Sequence, residues 1–406
     1  MKNRLHKRNR DQYCMEGVFC NSFCFGQTLL YWGSIPSLFC MNEVIKPSLL
    51  DAPLLRDFLA QQGEKPYRMS QVDQAVYRDL VDSVDAITTL PVALRDVLAE
   101  AFVLSPMVLK KDALSADGTN KFLFETTDGY LVESVLMRHK GDRLTLCISS
   151  QVGCPVKCSF CATGTMGYSR NLTTAEIVGQ VLHVNRKLAL TEERVRNIVF
   201  MGMGEPLINY DNVMESVAIL KDQKKFGIGA RHITISTSGI VPRIKDLMER
   251  DPQVNLAVSL HAPNDALRTK IMPINNAYPL ADLMAALRVY TDTTNKRIFY
   301  EYIMLGGVND SPLLAHELGT LLRGHLAHVN LIPYNPGAGW PDMKASSRNR
   351  IMEFQRIVQG YDVPCTIRYT FGQDIDAACG QLAVKEGKNA IAAEKLARAP
   401  KPQSLT

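Results

Sequence analysis

Apolar residues recur at Leu50, Leu54, Leu55, Phe58 and Leu59, the stripe of an amphipathic helix over 49–62. Similar spacing over 72–81 and 94–102 predicts two more helices, so 41–110 reads as a small helical domain. Three β-rich runs follow at 121–127, 130–137 and 144–149, and Thr127-Asp128-Gly129 between the first two signals a hairpin. Beyond Cys161 the pattern changes. Helices are expected over 173–187, 212–221, 243–250, 280–290, 313–322 and 347–359. Strands are expected between them, over 197–201, 233–236, 255–260, 298–305, 328–332 and 365–369. Thr173 or Thr174 is the expected N-cap of the first helix, with Glu176 in its first turn. Strands alternating with helices argue for an α/β fold of parallel units. About six such units make a partial or full barrel with its chemistry on the loops after the strands.

Composition narrows the class. Of 406 residues 46% are hydrophobic and 21% charged, which fits a packed globular chain and not global disorder. A net charge of +5 is too small to argue for a nucleic-acid partner by itself. Residues 1–40 carry five basic and two acidic side chains, which leaves the rest at +2. Their basic run (Lys2, Arg4, Lys7, Arg8, Arg10) and semi-apolar stretch outline a signal peptide, but Glu16, Asn21 and Gln27 interrupt it and no small-x-small site follows. The segment reads as a doubtful extension, disordered or started upstream by mis-assignment, with Cys14, Cys20 and Cys24 as a weak metal alternative. Residues 384–406, rich in Ala, Lys and Pro, read as a flexible tail. No apolar run reaches the length of a membrane-spanning helix.

The sharpest chemical signal is Cys154-Pro-Val-Lys-Cys158-Ser-Phe-Cys161. Three thiols in one loop after a strand suit an iron–sulfur cluster or zinc. Structural zinc asks for four ligands in two separated pairs, and no second pair lies nearby. Three thiolates on a cubane leave one iron open, which is what a cluster needs to bind and reduce a ligand. Bare thiols without metal are the bland alternative.

This triad resembles the signature of radical S-adenosylmethionine enzymes. Four further motifs narrow the resemblance: Thr145-Leu-Cys147 through Cys154, Phe200-Met-Gly-Met-Gly-Glu-Pro206, Ser259-Leu-His-Ala-Pro-Asn264 and Asp374-Ile-Asp-Ala-Ala-Cys-Gly-Gln-Leu382. With Asn330-Leu-Ile-Pro-Tyr-Asn335 they resemble, over roughly residues 65–383, the RlmN-type 23S rRNA adenine-C2 methyltransferases and their Cfr relatives, which act on adenine C8.

The resemblance implies a (β/α)6-type partial barrel over 111–383, with 41–110 as an RNA-binding accessory domain. It implies a [4Fe-4S] cluster on Cys154, Cys158 and Cys161, and two S-adenosylmethionine molecules per turnover. Cys379 matches the methyl-accepting cysteine, Cys147 the resolving cysteine that forms a transient disulfide with it, and Glu133 the general base, though its spacing to Cys147 is one residue longer than expected. Gly204, Glu205, Ser236, Ser259, Leu260, His261 and Asn335 match positions that touch S-adenosylmethionine. Partners implied are 23S rRNA, tRNA and an external electron donor such as a flavodoxin system, with no membrane, in the cytoplasm. Lys221, Lys224, Lys225, Arg231, Arg268 and Lys270 flank the motif loops as candidate phosphate contacts, or simply solvated faces. Cys365 matches no motif and reads as strand core. C8 methylation is the near alternative, a radical enzyme activating a protein the more distant one, and a non-enzymatic iron–sulfur or RNA-binding module the last.

Overall fold

The structure, a computed structural model, describes residues 46–141, 143–335 and 342–382. The expectations for 1–40 and 384–406 lie outside these residues. The helical segment comprises α1 (Ala52–Gln61), α2 (Tyr67–Asp73), continued by one π turn at Gln74–Arg78, and α3 (Val92–Ala101). Asp51 caps α1 by accepting from the Leu54 amide. Leu55, Leu59 and Leu98 face inward and share one apolar core with the sheet that follows.

That sheet opens with β1 (Met107–Leu114), β2 (Asn120–Thr126), β3 (Leu131–His139) and β4 (Arg143–Cys147). Next come β5 (Gln151–Gly153), α4 (Ala162–Thr165), β6 (Tyr168–Asn171), α5 (Thr174–Ala189), β7 (Asn197–Phe200), α6 (Tyr210–Lys221), β8 (Ile233–Thr237) and α7 (Val241–Arg250). The rest is β9 (Asn255–Ser259), α8 (Asp265–Ile271), α9 (Leu280–Thr294), β10 (Ile298–Met304), α10 (Pro312–Leu322), β11 (Ala327–Pro333), α11 (Arg348–Gln359) and β12 (Cys365–Ile367). The strand at Met107 was not expected. Its exposed Val-Leu-Lys-Lys run lacks the alternation of a half-buried strand, because β1 is an edge.

Ten strands form one sheet in the order β1-β2-β3-β4-β7-β8-β9-β10-β11-β12. The first four are antiparallel neighbours, and every pair from β4 to β12 is parallel. Helices α5, α6, α7, α9, α10 and α11 make the crossovers, as the alternation predicts. The parallel strands are buried on both faces, so Leu256, Ala257 and Val258 run apolar without a break. Thr173 caps α5 in a capping box with Glu176. Arg170 ties that glutamate to Asp128, at 2.8 and 2.7 Å.

The sheet is open among the described strands, yet one cavity is lined from β3, β4, β7, β8, β9, β10, β11 and β12. A flat sheet cannot wall one space with eight strands, so the sheet curves into a partial barrel. Past β12 the chain crosses the open side as a strap, residues 368–382. Gly372 N–H donates to Asp117 (2.8 Å), and Asp374 accepts from Ser115 Oγ (2.5 Å) and the Ala116 amide (3.1 Å). The far end is held by Ala162 N–H to the Gly380 carbonyl (2.8 Å) and Thr163 Oγ1 to the Leu382 carbonyl (2.6 Å).

Candidate active site

Cys154, Cys158 and Cys161 lie on the loop from β5 into α4. Gly153 enters it at φ +77°, and a Cβ there would meet the Gly167 carbonyl oxygen at 2.0 Å. Lys157 adopts a left-handed φ of +58° and turns the chain between the first two thiols. All three thiols line a cavity of about 160 Å3 beyond the carboxyl ends of the central strands. Gly204, Glu205, Ser236, Ser259 and His261 line the same cavity.

Gly204 has φ +105°, and a Cβ would come within 2.6 Å of Gln151 Cβ. Glu205 is buried, and burial raises its pKa, opposed by hydrogen bonds that include the Ser238 and Leu207 amides at 2.7 and 3.0 Å. His261 stands at φ +57° and accepts from the Ile303 amide on Nδ1 at 3.0 Å, which places its proton on Nε2. Burial, then the charge of Arg268, lower its pKa to about 3, so the ring is neutral. Its ring packs edge-on against Phe160 of the cysteine loop, centroids 4.7 Å apart.

Two expectations change. Leu260 is fully buried and its side chain lines neither cavity. Its amide donates to the Glu301 carbonyl (3.1 Å) and its own carbonyl accepts from Arg268 (3.2 Å). Arg268 itself is buried and cannot meet a phosphate. Its guanidinium also reaches the Ser238 carbonyl (2.7 Å), the Ser259 carbonyl (3.2 Å) and Asn275 (2.8 Å), clamping the ends of β8 and β9.

A second cavity of about 490 Å3 adjoins the first, and Cys161, Glu301, Arg368 and Cys379 line both. Cys147, at the end of β4, and Cys379, on the strap, both line the larger one. Cys147 is buried, which raises its thiol pKa, whereas Cys379 is exposed; the Arg368 guanidinium favours the thiolate form of each. Both are free thiols, so the transient Cys147–Cys379 disulfide is not the form seen here. Asn335 lines this larger cavity, and its Nδ2 donates to the Cys379 carbonyl at 3.4 Å. Glu133 lines neither cavity. It is buried on β3, on the face of Val135 and Met137, which do line the larger one, and pairs with Lys121 at 3.2 Å.

The sequence reading missed the Glu301–Arg368 pair, 3.2 Å apart where the cavities meet. Glu301 is buried, burial raises its pKa, and Arg368 with Asn330 holds it back. One signal was available: a lone charge in the apolar run Ile298–Met304. Among the basic candidates, Lys221 pairs with Asp251, and Lys225 pairs with Asp73 while lying over the Tyr77 ring. Lys224, Arg231 and Lys270 are exposed, and of the six only Arg231 lines the larger cavity. Cys365 is buried, as expected, with its pKa pushed up to about 12.

The thiol triad fits an iron–sulfur cluster. No three His, Cys, Asp or Glu among the described residues converge as one ion would need. A cubane does not require convergence, because each thiolate binds its own iron. Burial raises the Cys154 and Cys158 thiols, and bound iron is the charge that deprotonates such groups.

Fold and cysteine loop together define a radical S-adenosylmethionine enzyme: the radical SAM superfamily model matches residues 148–317. The model described as the ribosomal RNA large subunit methyltransferase N-terminal domain matches residues 49–104. The chain is 45% identical to a probable dual-specificity RNA methyltransferase RlmN of Bacillus cereus (strain B4264), covering 85% of this chain and 96% of that one. It is 46% identical to the Geobacillus thermodenitrificans protein of the same name, over 84% and 94%. A solved radical SAM methyltransferase from Sphaerobacter thermophilus superposes with a TM-score of 0.79 at 46% identity, over 84% and 98%. The chain belongs to the RlmN family of radical SAM RNA methyltransferases. No helix of the described residues is long and apolar enough to cross a membrane.

Proposed function

We propose that the chain methylates carbon 2 of an adenine in 23S rRNA, and in tRNA, through a methyl group carried on Cys379. The observation that carries this reading is one cavity walled by Cys379, Cys147 and Cys161 together. A methyl-accepting thiol, a releasing thiol and a cluster ligand thus face one space. At about 490 Å3 that space suits one everted nucleotide.

Adenine C2 is electron-poor and does not attack a methyl cation equivalent, so a radical route is needed. When bound, a [4Fe-4S] cluster on Cys154, Cys158 and Cys161 and two S-adenosylmethionine molecules per turnover supply the methyl group, an electron and a hydrogen-abstracting carbon radical. Gly204, Glu205, Ser236, Ser259 and His261 would hold S-adenosylmethionine beside the triad, with Asn335 setting the Cys379 backbone. Cys379 Sγ loses its proton and takes the methyl group by displacement, breaking the methyl–sulfonium bond of one S-adenosylmethionine and releasing S-adenosylhomocysteine. Once a hydrogen is removed from that S-methyl group, its carbon bonds to C2 and joins enzyme to RNA. Glu133 takes the C2 proton, directly or through a water. The Cys147 thiolate then attacks the sulfur of Cys379; the carbon keeps the bonding pair and takes a proton to become the methyl group. The adduct gives up its unpaired electron, which a bound cluster would accept, and the methylated RNA is freed. A reductant reopens the disulfide, and a flavodoxin-type donor supplies electrons to the cluster. A cytoplasmic setting keeps these thiols reduced. The helical segment α1–α3 would grip the RNA.

Anaerobic reconstitution with S-adenosylmethionine, reductant and RNA, followed by mass spectrometry of the digest, tests this. The expected product is 2-methyladenosine. Finding 8-methyladenosine alone would replace the reading with C8 methylation, and finding neither would end it.

A further inference from the structure

The larger cavity runs the length of the partial barrel. Cys147 and Cys379 stand at one end, and Arg143, Arg231, Asn197 and Asn255 at the other, around the amino ends of the strands. Arg143, Thr145 and Cys147 alternate on one face of β4 and all line the cavity. Four residues of extended chain set the arginine about 14 Å below the thiol. Arg143 and Arg231 are exposed, and neither forms an ion pair among the described residues. The carboxylate among the lining residues, Glu301, is already held by Arg368. Guanidinium groups therefore outnumber carboxylates around the lumen, and two of them stand at its mouth. That sign selects an anion. Aromatic surface lines the same cavity: Tyr369 is 89% exposed, and Phe371 packs on His139 at 5.0 Å.

We propose that RNA engages this mouth at the amino ends of the strands. The target base passes up the lumen to Cys379, and Arg143 and Arg231 bind the phosphates flanking it. This rests on the reading of RNA as substrate and adds the route by which it arrives. A base at the thiols leaves its own phosphodiester most of the way down the lumen, within reach of two long cationic side chains.

The test is filter binding of protein-free 23S rRNA to cluster-loaded R143E/R231E across a salt series. Binding should weaken more than about 10-fold, and the slope of log Kd against log salt should fall by about 1.4, two contacts at roughly 0.7 each. R143K/R231K, which keeps both charges, should restore the slope. K245E makes the same charge change at an exposed position of α7 and should leave Kd within about twofold. Unchanged affinity and slope in R143E/R231E, with a wild type that methylates RNA, would overturn the route alone. A wild type that binds RNA with the expected slope change in R143E/R231E but methylates no base would support the route and sink the chemistry. Should the double variant lose its cluster, R231E decides, with a slope change of about 0.7.

Discussion

In the smaller cavity each wall is set by a strand end bonded to the next loop: Glu205 to Ser238, Arg268 to Leu260 and Ser259, His261 to Ile303. In the larger cavity one wall is the strap, pinned to a hairpin more than 250 residues earlier and to the cysteine loop more than 210 residues earlier. The first is a rigid socket built on the sheet. The second is a socket completed late, by the segment that carries Cys379, the thiol proposed to accept the methyl group. On the proposed function, the difference separates holding a cofactor from presenting a nucleophile. Damage to the first should cost folding and cofactor, and damage to the second should cost chemistry while the fold survives.

The largest effect belongs to the strap. Cys379→Ala should lower RNA methylation by more than about 10^3-fold, the scale seen when a nucleophile is removed, with iron content unchanged. Residual methylation near the wild-type rate would remove Cys379 from the reaction. Cys147→Ala should instead accumulate a covalent enzyme–RNA species on a denaturing gel. Free methylated RNA at the normal rate would show that Cys147 releases nothing. Glu133→Gln should slow turnover about 10^2- to 10^4-fold with the cluster intact, and an unchanged rate would assign the proton to another base.

Effects on the smaller cavity should appear as stability. Arg268→Met strips four hydrogen bonds from buried acceptors and should cost about 3–5 kcal/mol in denaturant unfolding, with loss of iron. A midpoint within error of wild type would show that the loops need no clamp. Gly204→Ala should cost about 1–3 kcal/mol from its positive φ and the clash with Gln151, and weaken S-adenosylmethionine binding.

The smallest effect is on pH. Hydrogen bonds from Ser115 and the Ala116 amide lower the pKa of Asp374. Burial raises that of Asp117, but the bonds from Gly372 and Thr119 outweigh it. A carboxylate with a depressed folded pKa adds stability above its unfolded pKa and loses it as pH falls below about 4 through the folded value. Hydrogen exchange at Gly372 and Ala116 should therefore accelerate in acid before the amides of β8 and β9 do. Simultaneous loss would mean that the strap and the sheet open together.

The parallel half of the fold was legible because its strands and helices carry different periods. The capping pair Thr173 and Glu176 marked its first helix. The strands β1, β5 and β6 were not, because an exposed edge and two pieces of three and four residues carry no period. The triad, Cys147 and Cys379 were singled out by motif alone, and the structure brings Cys147, Cys161 and Cys379 to one cavity. Glu301 with Arg368 was not, because the partners lie 67 residues apart and only the barrel closes that distance. Arg268 looked like a phosphate contact because sequence shows its charge and not the carbonyls that surround it.

Strand β4 is five residues long and borders the lumen with Arg143, Thr145 and Cys147. It is a ruler between the lumen's two ends. Inserting a single residue within it would turn one of those ends out of the cavity, whatever the residue's chemistry. Length is thus the least negotiable property of this strand. An engineer can exchange side chains along it one at a time but cannot lengthen it without parting the thiol from the arginine.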